Sequence, residues 1–322
     1  MQRRALLGAL AATSLAGVPV AASAQDSFGA FLSGVRADAR RSGIRDSTLG
    51  AALNGISVND KVIAADRKQP EFTMTWTRYR SFTMSDKRIA RGKESVAANR
   101  ALFAAVSQRY QVDLPPIAGI WGLESNFGTD TGNYNVIEAL ATLAWEGRRA
   151  SFFRSQLMSA LKILDHGDVM PGRMMGSYAG AMGQPQFMPD SYLRYAVDFE
   201  GNGRRDIWDS RGDVLGSIAN YLAKSGWRYG EPSCQPIRVP PELDASSVGR
   251  DVKRSLGEWQ RMGVRRDDGS MFGRPDPIGA VVMPDGTGGP AFMVYANFTA
   301  IRRYNPSDYY ALAVSLLGDM VI

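Results

Sequence analysis

Apolar residues recur at helical spacing through most of the chain. Leu102, Phe103, Val106 and Tyr110 form one stripe, and Phe153, Leu157, Leu161 and Leu164 a second. Leu215, Ile218 and Leu222 form a third, starting near Asp213. Spacings of three and four residues place each set on one helix face, which seeks a core. Residues 26–112 read as several short amphipathic helices. Pro115 and Pro116 suit the first turn of a further helix, Ile117 to Ser125, in which Ile117, Ile120, Trp121 and Glu124 share a face. The pattern changes after Gly230. Glu231-Pro232-Ser233-Cys234-Gln235-Pro236 is linker-like. Ile237-Arg238-Val239, Ala280-Val281-Val282-Met283 and Ala291-Phe292-Met293-Val294-Tyr295 are short and β-prone. Turn signals at Pro284-Asp285-Gly286 and Gly288-Gly289-Pro290 separate them, so a small antiparallel sheet is predicted over 231–296. The chain then returns to helix, with Asn305 as cap, Pro306 in the first turn, and Tyr309, Ala313, Leu316 and Leu317 continuing it.

The 322 residues, 44% of them hydrophobic, suffice for one large domain or two modest ones. Residues 1–24 read as an export signal: Arg3-Arg4, an apolar run from Ala5 to Val20, then the small-residue site Ala22-Ser23-Ala24. Arg3-Arg4-Ala5-Leu6-Leu7 fits either the general or the twin-arginine route. No Cys follows the cleavage site to take a lipid, and no later run is long enough to span a membrane. The expectation is a soluble, monomeric periplasmic protein. One Cys, Cys234, and one His, His166, exclude an intrachain disulfide and multi-His or Cys-rich metal sites. A Cys234–His166 dyad lacks a recognisable nucleophile motif, and His166 before Gly167 suits a helix C-terminus. No Gly-x-Ser-x-Gly signal is present. Net charge is +6, or +4 without Arg3 and Arg4. That mild excess suits an anionic polymer, while the scattering of the basic residues argues against nucleic acid.

Two segments carry chemistry. Gly122-Leu123-Glu124-Ser125-Asn126-Phe127-Gly128 puts a carboxylate on an apolar helix face. Loss of water there favours the protonated carboxyl, the form a general acid needs. The alternative is a buried Glu paired with an Arg or a helix end. Tyr178-Ala179-Gly180-Ala181-Met182-Gly183-Gln184-Pro185-Gln186-Phe187-Met188-Pro189 is too rich in Gly and Pro for a helix interior. It reads as a binding loop or a tight structural turn. Gln186 offers a donor and an acceptor to a sugar, and Phe187, Tyr178 and Tyr192 offer flat faces.

Taken together, Glu-Ser-x-Phe-Gly followed by Gly-Ala-Met-Gly-x-x-Gln-Phe-Met-Pro resembles lytic transglycosylases of the lysozyme-like superfamily, and best the lytic murein transglycosylase B type. Trp145-Glu146-Gly147-Arg148-Arg149-Ala150, Ser217-Ile218-Ala219-Asn220-Tyr221-Leu222 with Gly226-Trp227, and Arg303-Tyr304-Asn305 agree in the same order. The resemblance implies an α+β fold, predominantly α-helical. It comprises an N-terminal helical region (25–114), a lysozyme-like catalytic core (115–230), a small antiparallel β module (231–296) and a C-terminal helix returning to the core (297–322). It implies cleavage of the MurNAc-β-1,4-GlcNAc bond of peptidoglycan without water, leaving a 1,6-anhydro end and needing no cofactor for catalysis. One carboxylate, Glu124, then serves as acid and as base. Glu138 and Asp130 are the nearest further carboxylates and read as loop or helix-cap residues. By the same match Ser177, Gln186, Phe187, Tyr221, Tyr304, Asn305 and Tyr310 line the cleft, and Arg148 and Arg149 meet lactyl or peptide carboxylates. Hydrolysis on the same fold, or glycan binding without turnover, stay open. Complexes with cell-wall synthases are an expectation from the family type.

Asp198-Phe199-Glu200-Gly201-Asn202-Gly203-Arg204-Arg205-Asp206-Ile207-Trp208-Asp209 matches the twelve-residue spacing of an EF-hand loop. The family relatives hold calcium at this place. The resemblance therefore implies a structural Ca²⁺ on Asp198, Glu200, Asn202, the carbonyl of Arg204, and Asp209. The shorter Asp209 at the twelfth position and the charges of Arg204 and Arg205 are expected to weaken it, and a metal-free turn of the same shape is the alternative.

Overall fold

The computed structural model describes residues 27–68 and 74–322; the export signal read at residues 1–24 lies outside them. Six helices come first: α1 (Phe28–Arg41), α2 (Asp46–Leu53), α3 (Asp60–Arg67), α4 (Trp76–Thr83), α5 (Asp86–Ala98) and α6 (Arg100–Tyr110). Helix α7 (Leu114–Ser125) leads through β1 (Tyr134–Asn135) to α8 (Val136–Glu146) and α9 (Ala150–His166). Then come β2 (Met175–Gly176), α10 (Pro189–Tyr195) and α11 (Arg211–Lys224). The β module holds β3 (Cys234–Arg238), β4 (Lys253–Ser255), α12 (Leu256–Arg261), β5 (Arg265–Arg266), β6 (Ile278–Val282) and β7 (Ala291–Val294). Helices α13 (Ala296–Tyr304) and α14 (Asp308–Val321) close the chain. Many helices start where a Ser, Thr or Asn oxygen accepts an otherwise orphaned N–H: Ser85 from Arg88, Asn135 from Glu138, Ser210 from Asp213.

Helix α7 is buried on every side from Pro116 to Leu123, which explains a sequence almost without polar residues. It crosses α14 through two glycines. A methyl group on Gly119 would sit 2.0 Å from the Val314 carbonyl oxygen, and one on Gly318 2.1 Å from that of Pro115. Only glycine lets the two backbones approach so closely.

Apolar side chains gather in three clusters. The first joins α4–α7, α11, α13 and α14 to one face of the sheet. The second joins α1–α3, α8 and α9 to the Met174–Ile207 segment. The N-terminal helices thus have no core of their own and are divided between the two. The third lies under the other face of the sheet, around Trp259. Strand alternation makes the division: Phe292 and Val294 point to the first cluster, Ala291 and Met293 to the third. The sheet is antiparallel, in the order β4-β6-β7-β3-β5.

Three local expectations change. The linker-like stretch already contains β3, because Cys234 pairs with Val294 and Ile237 with Ala291; the ladder overrides the local Pro signal. Ser307, two residues beyond Asn305, caps α14 by accepting from the Tyr310 N–H. Asn305 instead accepts from the Ser307 N–H at 3.1 Å, holding the turn before the helix. Helix α12 goes unforeseen, although Ser255 and Glu258 form a reciprocal capping box. Among the described residues no helix is long and apolar enough to cross a membrane.

Candidate active site

Glu124 stands in the last turn of α7. Its neighbours Trp121, Gly122, Leu123 and Ser125 are buried; Glu124 is half-buried. The desolvation expected from the apolar face is therefore only partial. The residues after Glu124 build a backbone device. Asn126, Phe127 and Gly128 all have left-handed backbones, with φ of 50°, 60° and 85°. That conformation is uncommon for Asn and costly for Phe. The Asn126 N–H donates to the Gly122 carbonyl and that of Phe127 to Trp121, while Ser125 Oγ accepts from the Gly128 N–H at 3.1 Å. The Phe127 ring meets Trp121 edge-on at 5.4 Å and fills the space over Gly122 and Gly92. Each residue of the Glu-Ser-x-Phe-Gly motif thus helps to end the helix at the carboxylate.

Tyr310, in the first turn of α14, donates from Oη to Glu124 Oε1 at 2.7 Å. Tyr79 of α4 is a residue the sequence did not single out. Burial, and then the charge of Glu124, push its phenol up to about 12, so it stays neutral in the physiological range. Tyr79 stacks on Trp76 and lies 5.7 Å from the Tyr309 ring. Helix α4 is held from the β module. Asp285, in the β6–β7 turn, accepts from the backbone N–H groups of Trp76 and Thr77 and from the Thr77 hydroxyl. A turn signal in the sequence gave no hint of a partner 208 positions away.

An aromatic group adjoins this corner. The Tyr221 and Tyr304 ring centroids are 4.6 Å apart, Phe187 lies within 5.8 Å of both, and Tyr304 lies nearly parallel to Tyr310 at 6.4 Å. Backbone carbonyls orient the two phenols: Tyr221 donates to Arg303 at 2.5 Å and Tyr304 to Pro185 at 2.6 Å. Tyr304 packs against both large clusters and so marks the seam between them. Phe187, Tyr178 and Tyr192 are buried and serve as packing under the site, not as open faces.

The Gly-rich loop is tightly packed. What approaches its glycines is the protein itself: a methyl on Gly183 would meet the Ile207 carbonyl at 2.6 Å, and one on Gly180 the Leu140 side chain at 2.4 Å. Gln186 has a left-handed backbone, and its amide NH₂ donates to the carbonyls of Thr131 and Gly183 at 2.9 and 2.8 Å. Ser177 Oγ accepts from the Ala181 N–H at 3.0 Å. Buried Gln184, passed over in the sequence, fastens the loop to α7. Its Oε1 accepts from Trp121 Nε1 and from Arg211, both at 2.9 Å, and its Nε2 donates to the Trp208 carbonyl.

The structure gathers Glu124 and Tyr310, with the Tyr221–Tyr304–Phe187 group continuing from Tyr310. It commits the arginine pair elsewhere: Arg148 bonds the Asp66 carboxylate and carbonyl, and Arg149 lies 4.2 Å over the Phe152 ring. Glu138 accepts from Asn59 Nδ2 at 2.6 Å in the first turn of α8, and Asp130 is exposed. Cys234 is buried in β3 and its thiol is pushed up to about 12 by that burial, while His166 ends α9 beside Arg205. Neither is built for nucleophilic work.

Loop 198–209 keeps the turn of a calcium loop without its ligand set. Asp198 accepts from the N–H groups of Gly201, Asn202 and Gly203, which together hold its carboxyl below the usual range. Asn202 Oδ1 accepts from the Arg204 N–H, Glu200 turns to the Gly212 N–H, and Asp209 pairs with Arg173. Among the described residues no three His, Cys, Asp or Glu side chains come together to hold a metal. As arranged, Asp198, Glu200, Asn202, Arg204 and Asp209 do not fit a calcium ion.

Comparison with known proteins agrees with this architecture. Residues 27–319 match the Transglycosylase SLT domain family. Membrane-bound lytic murein transglycosylase B of Escherichia coli is 33% identical over 250 residues, 76% of this chain and 67% of that one. The structure of SltB3 from Pseudomonas aeruginosa in complex with NAG-anhNAM-pentapeptide superposes with a TM-score of 0.89 at 45% identity, covering 92% of this chain and 79% of that one. The structure of the Escherichia coli lytic transglycosylase Slt35 in complex with calcium gives 0.75 at 30% identity, covering 91% and 92%. With Glu124 at the end of a buried helix, Tyr310 on its carboxylate and an aromatic seam beside it, the chain belongs to the transglycosylase SLT domain family.

Proposed function

We propose that this protein is a peptidoglycan lytic transglycosylase that cleaves the MurNAc-β-1,4-GlcNAc bond with Glu124 alone as acid and base. The observation that carries the reading is a carboxylate held by Tyr310 beside the aromatic seam, with Glu138 engaged by Asn59 and Asp130 exposed. A two-carboxylate glycosidase needs a second group at a set distance. With one, the steps close as follows. Protonated Glu124 gives its proton to the bridging oxygen as the C1–O4 bond breaks. The resulting carboxylate takes the proton of the C6 hydroxyl as O6 bonds to C1. A 1,6-anhydro ring forms, no water is consumed, and Glu124 is protonated again.

Tyr310 holds one carboxylate oxygen in place for both transfers, which is orientation prepared before the substrate arrives. Tyr221, Tyr304 and Asn305 bound the sugar site, and Ser177 and Gln186 shape its floor. Export by residues 1–24 delivers the protein to the periplasm, where its polymer lies, and cell-wall synthases are the partners expected there.

The test is mass spectrometry of muropeptides released from purified peptidoglycan, with Glu124→Gln beside the parent protein. Anhydro-ended products from the parent, reduced by roughly a hundredfold or more in the variant, are expected. Reducing-end products would mean a hydrolase with a second carboxylate. No product from either protein would leave glycan binding as its role.

A further inference from the structure

A groove of about 830 Å³ opens along the β module, outside the catalytic corner. Five cations line it, Arg228, Arg250, Lys253, Arg266 and Arg274, against two carboxylates, Glu231 and Asp276. The module is not basic as a whole: residues 231–296 hold eight Lys and Arg and nine Asp and Glu. Four of those eight cations but only two of the nine carboxylates line the groove, and Arg228 joins from outside the module, so positive charge is sorted into it. Arg228 pairs loosely with Glu231 at 3.5 Å, and Arg250 with Asp308 at 2.9 Å. Lys253, Arg266 and Arg274 have no ion-pair partner among the described residues. The apolar side is supplied by Leu256, Phe272 and Ile278, and Ile278 is 56% exposed.

The wall is rigid and runs back to the active site. Asn297, wholly buried, accepts from the Arg228 N–H at 2.7 Å and donates to the carbonyls of Arg228 and Glu231. Arg303 bonds the Ser225 carbonyl at 2.8 Å, tying the same loop to the far end of α13. Helix α13 lines the groove at Ala296, Phe298 and Thr299 and ends at Tyr304 in the aromatic seam. At about 1.5 Å per residue, Thr299 and Tyr304 are separated by roughly 8 Å along the helix axis. An extended pentapeptide spans roughly 17 Å. A peptide rooted on a sugar at the seam can thus reach the groove.

We infer that this groove binds the peptide branch of the glycan substrate, its cations meeting the branch's carboxylates and its apolar side the methyl groups. The inference rests on the peptidoglycan reading above. Its test compares kcat/KM on peptide-bearing glycan strands with that on strands stripped by an amidase, for the parent and for Lys253→Ala/Arg266→Ala/Arg274→Ala. All three residues are exposed, so the fold should survive, which an unchanged Tm checks. The triple variant should lose about tenfold on peptide-bearing strands and nothing on stripped ones, less so in high salt. Arg266→Lys/Arg274→Lys, with Lys253 kept, should retain most of the parent's activity on peptide-bearing strands. Equal loss on both substrates, or on neither, overturns the inference. Calorimetric titration of the amidase-released peptide into the Glu124→Gln protein separates this question from turnover. Binding that disappears in the triple variant supports the groove even if the catalytic reading fails. Absent binding, or equal binding of an unrelated acidic peptide, which would point to an acidic protein partner, overturns it even if that reading stands.

Discussion

The carboxylate of Glu124 is placed by what surrounds it. Its helix cannot run on, because Asn126, Phe127 and Gly128 turn the backbone left-handed, and it cannot swing freely, because Tyr310 holds Oε1. Tyr310→Phe removes one hydrogen bond to a carboxylate and little volume. A bond of that kind contributes about 1.5–3 kcal/mol, so kcat should fall by roughly ten- to a hundredfold with KM nearly unchanged. Steady-state kinetics on one soluble glycan would show it. An equal rise in KM would mean that Tyr310 holds substrate instead. At this scale the sequence was informative about Glu124 and silent about Tyr79, Gln184 and Asp285. Their contacts lie on other elements, and a side chain's partner across the fold leaves no local trace in the chain.

Among the elements, helices were the most legible. Their apolar stripes and Ser, Thr and Asn caps are local devices, and local devices can be read. The sheet was legible as a region, and β3 was mislaid because its pairing with β7 is a property of two strands. Loop 198–209 shows the limit of a spacing motif. The spacing of a calcium loop is present, yet Arg173 holds Asp209 and the Gly212 N–H holds Glu200. The melting temperature should accordingly be the same in millimolar calcium, which would fill even a weak loop of this kind, and in chelator. A rise of several degrees in calcium, lost in Asp198→Ala, would show that the loop rearranges around the ion.

Across the whole molecule, the β6–β7 turn ties the β module to the catalytic corner. Asp285 caps α4 from outside the helical body, α4 carries Tyr79, and Tyr309 bonds the Pro284 carbonyl at 3.0 Å from the helix that carries Tyr310. Asp285→Ala should destabilise the protein by about 1–2 kcal/mol, as loss of a helix cap does. Burial acts to raise the Asp285 carboxyl, but the Thr77 hydroxyl and the two backbone N–H groups outweigh it and hold the group low. A depressed folded value means that the stabilisation is fully present above the ordinary carboxylate range and fades as pH falls through the folded value. The stability gap between parent and variant, from urea melts, should thus be flat near neutrality and shrink below about pH 4. A gap that widens in acid would contradict this account.

Local chemistry was enough to mark several of the main helices, place a small sheet near residues 231–296 and single out Glu124, since stripes, caps and turn residues act within a few positions of themselves. Its motifs, taken in order, also pointed to the family. Assembly settled the rest. Gly119 and Gly318 become necessary only where α7 and α14 cross, Phe187 becomes packing only once Tyr221 and Tyr304 cover it, and the calcium spacing loses its ligands to Arg173 and Gly212. Each of these outcomes depends on contacts between distant segments, whose energies exist only after the chain has closed on itself.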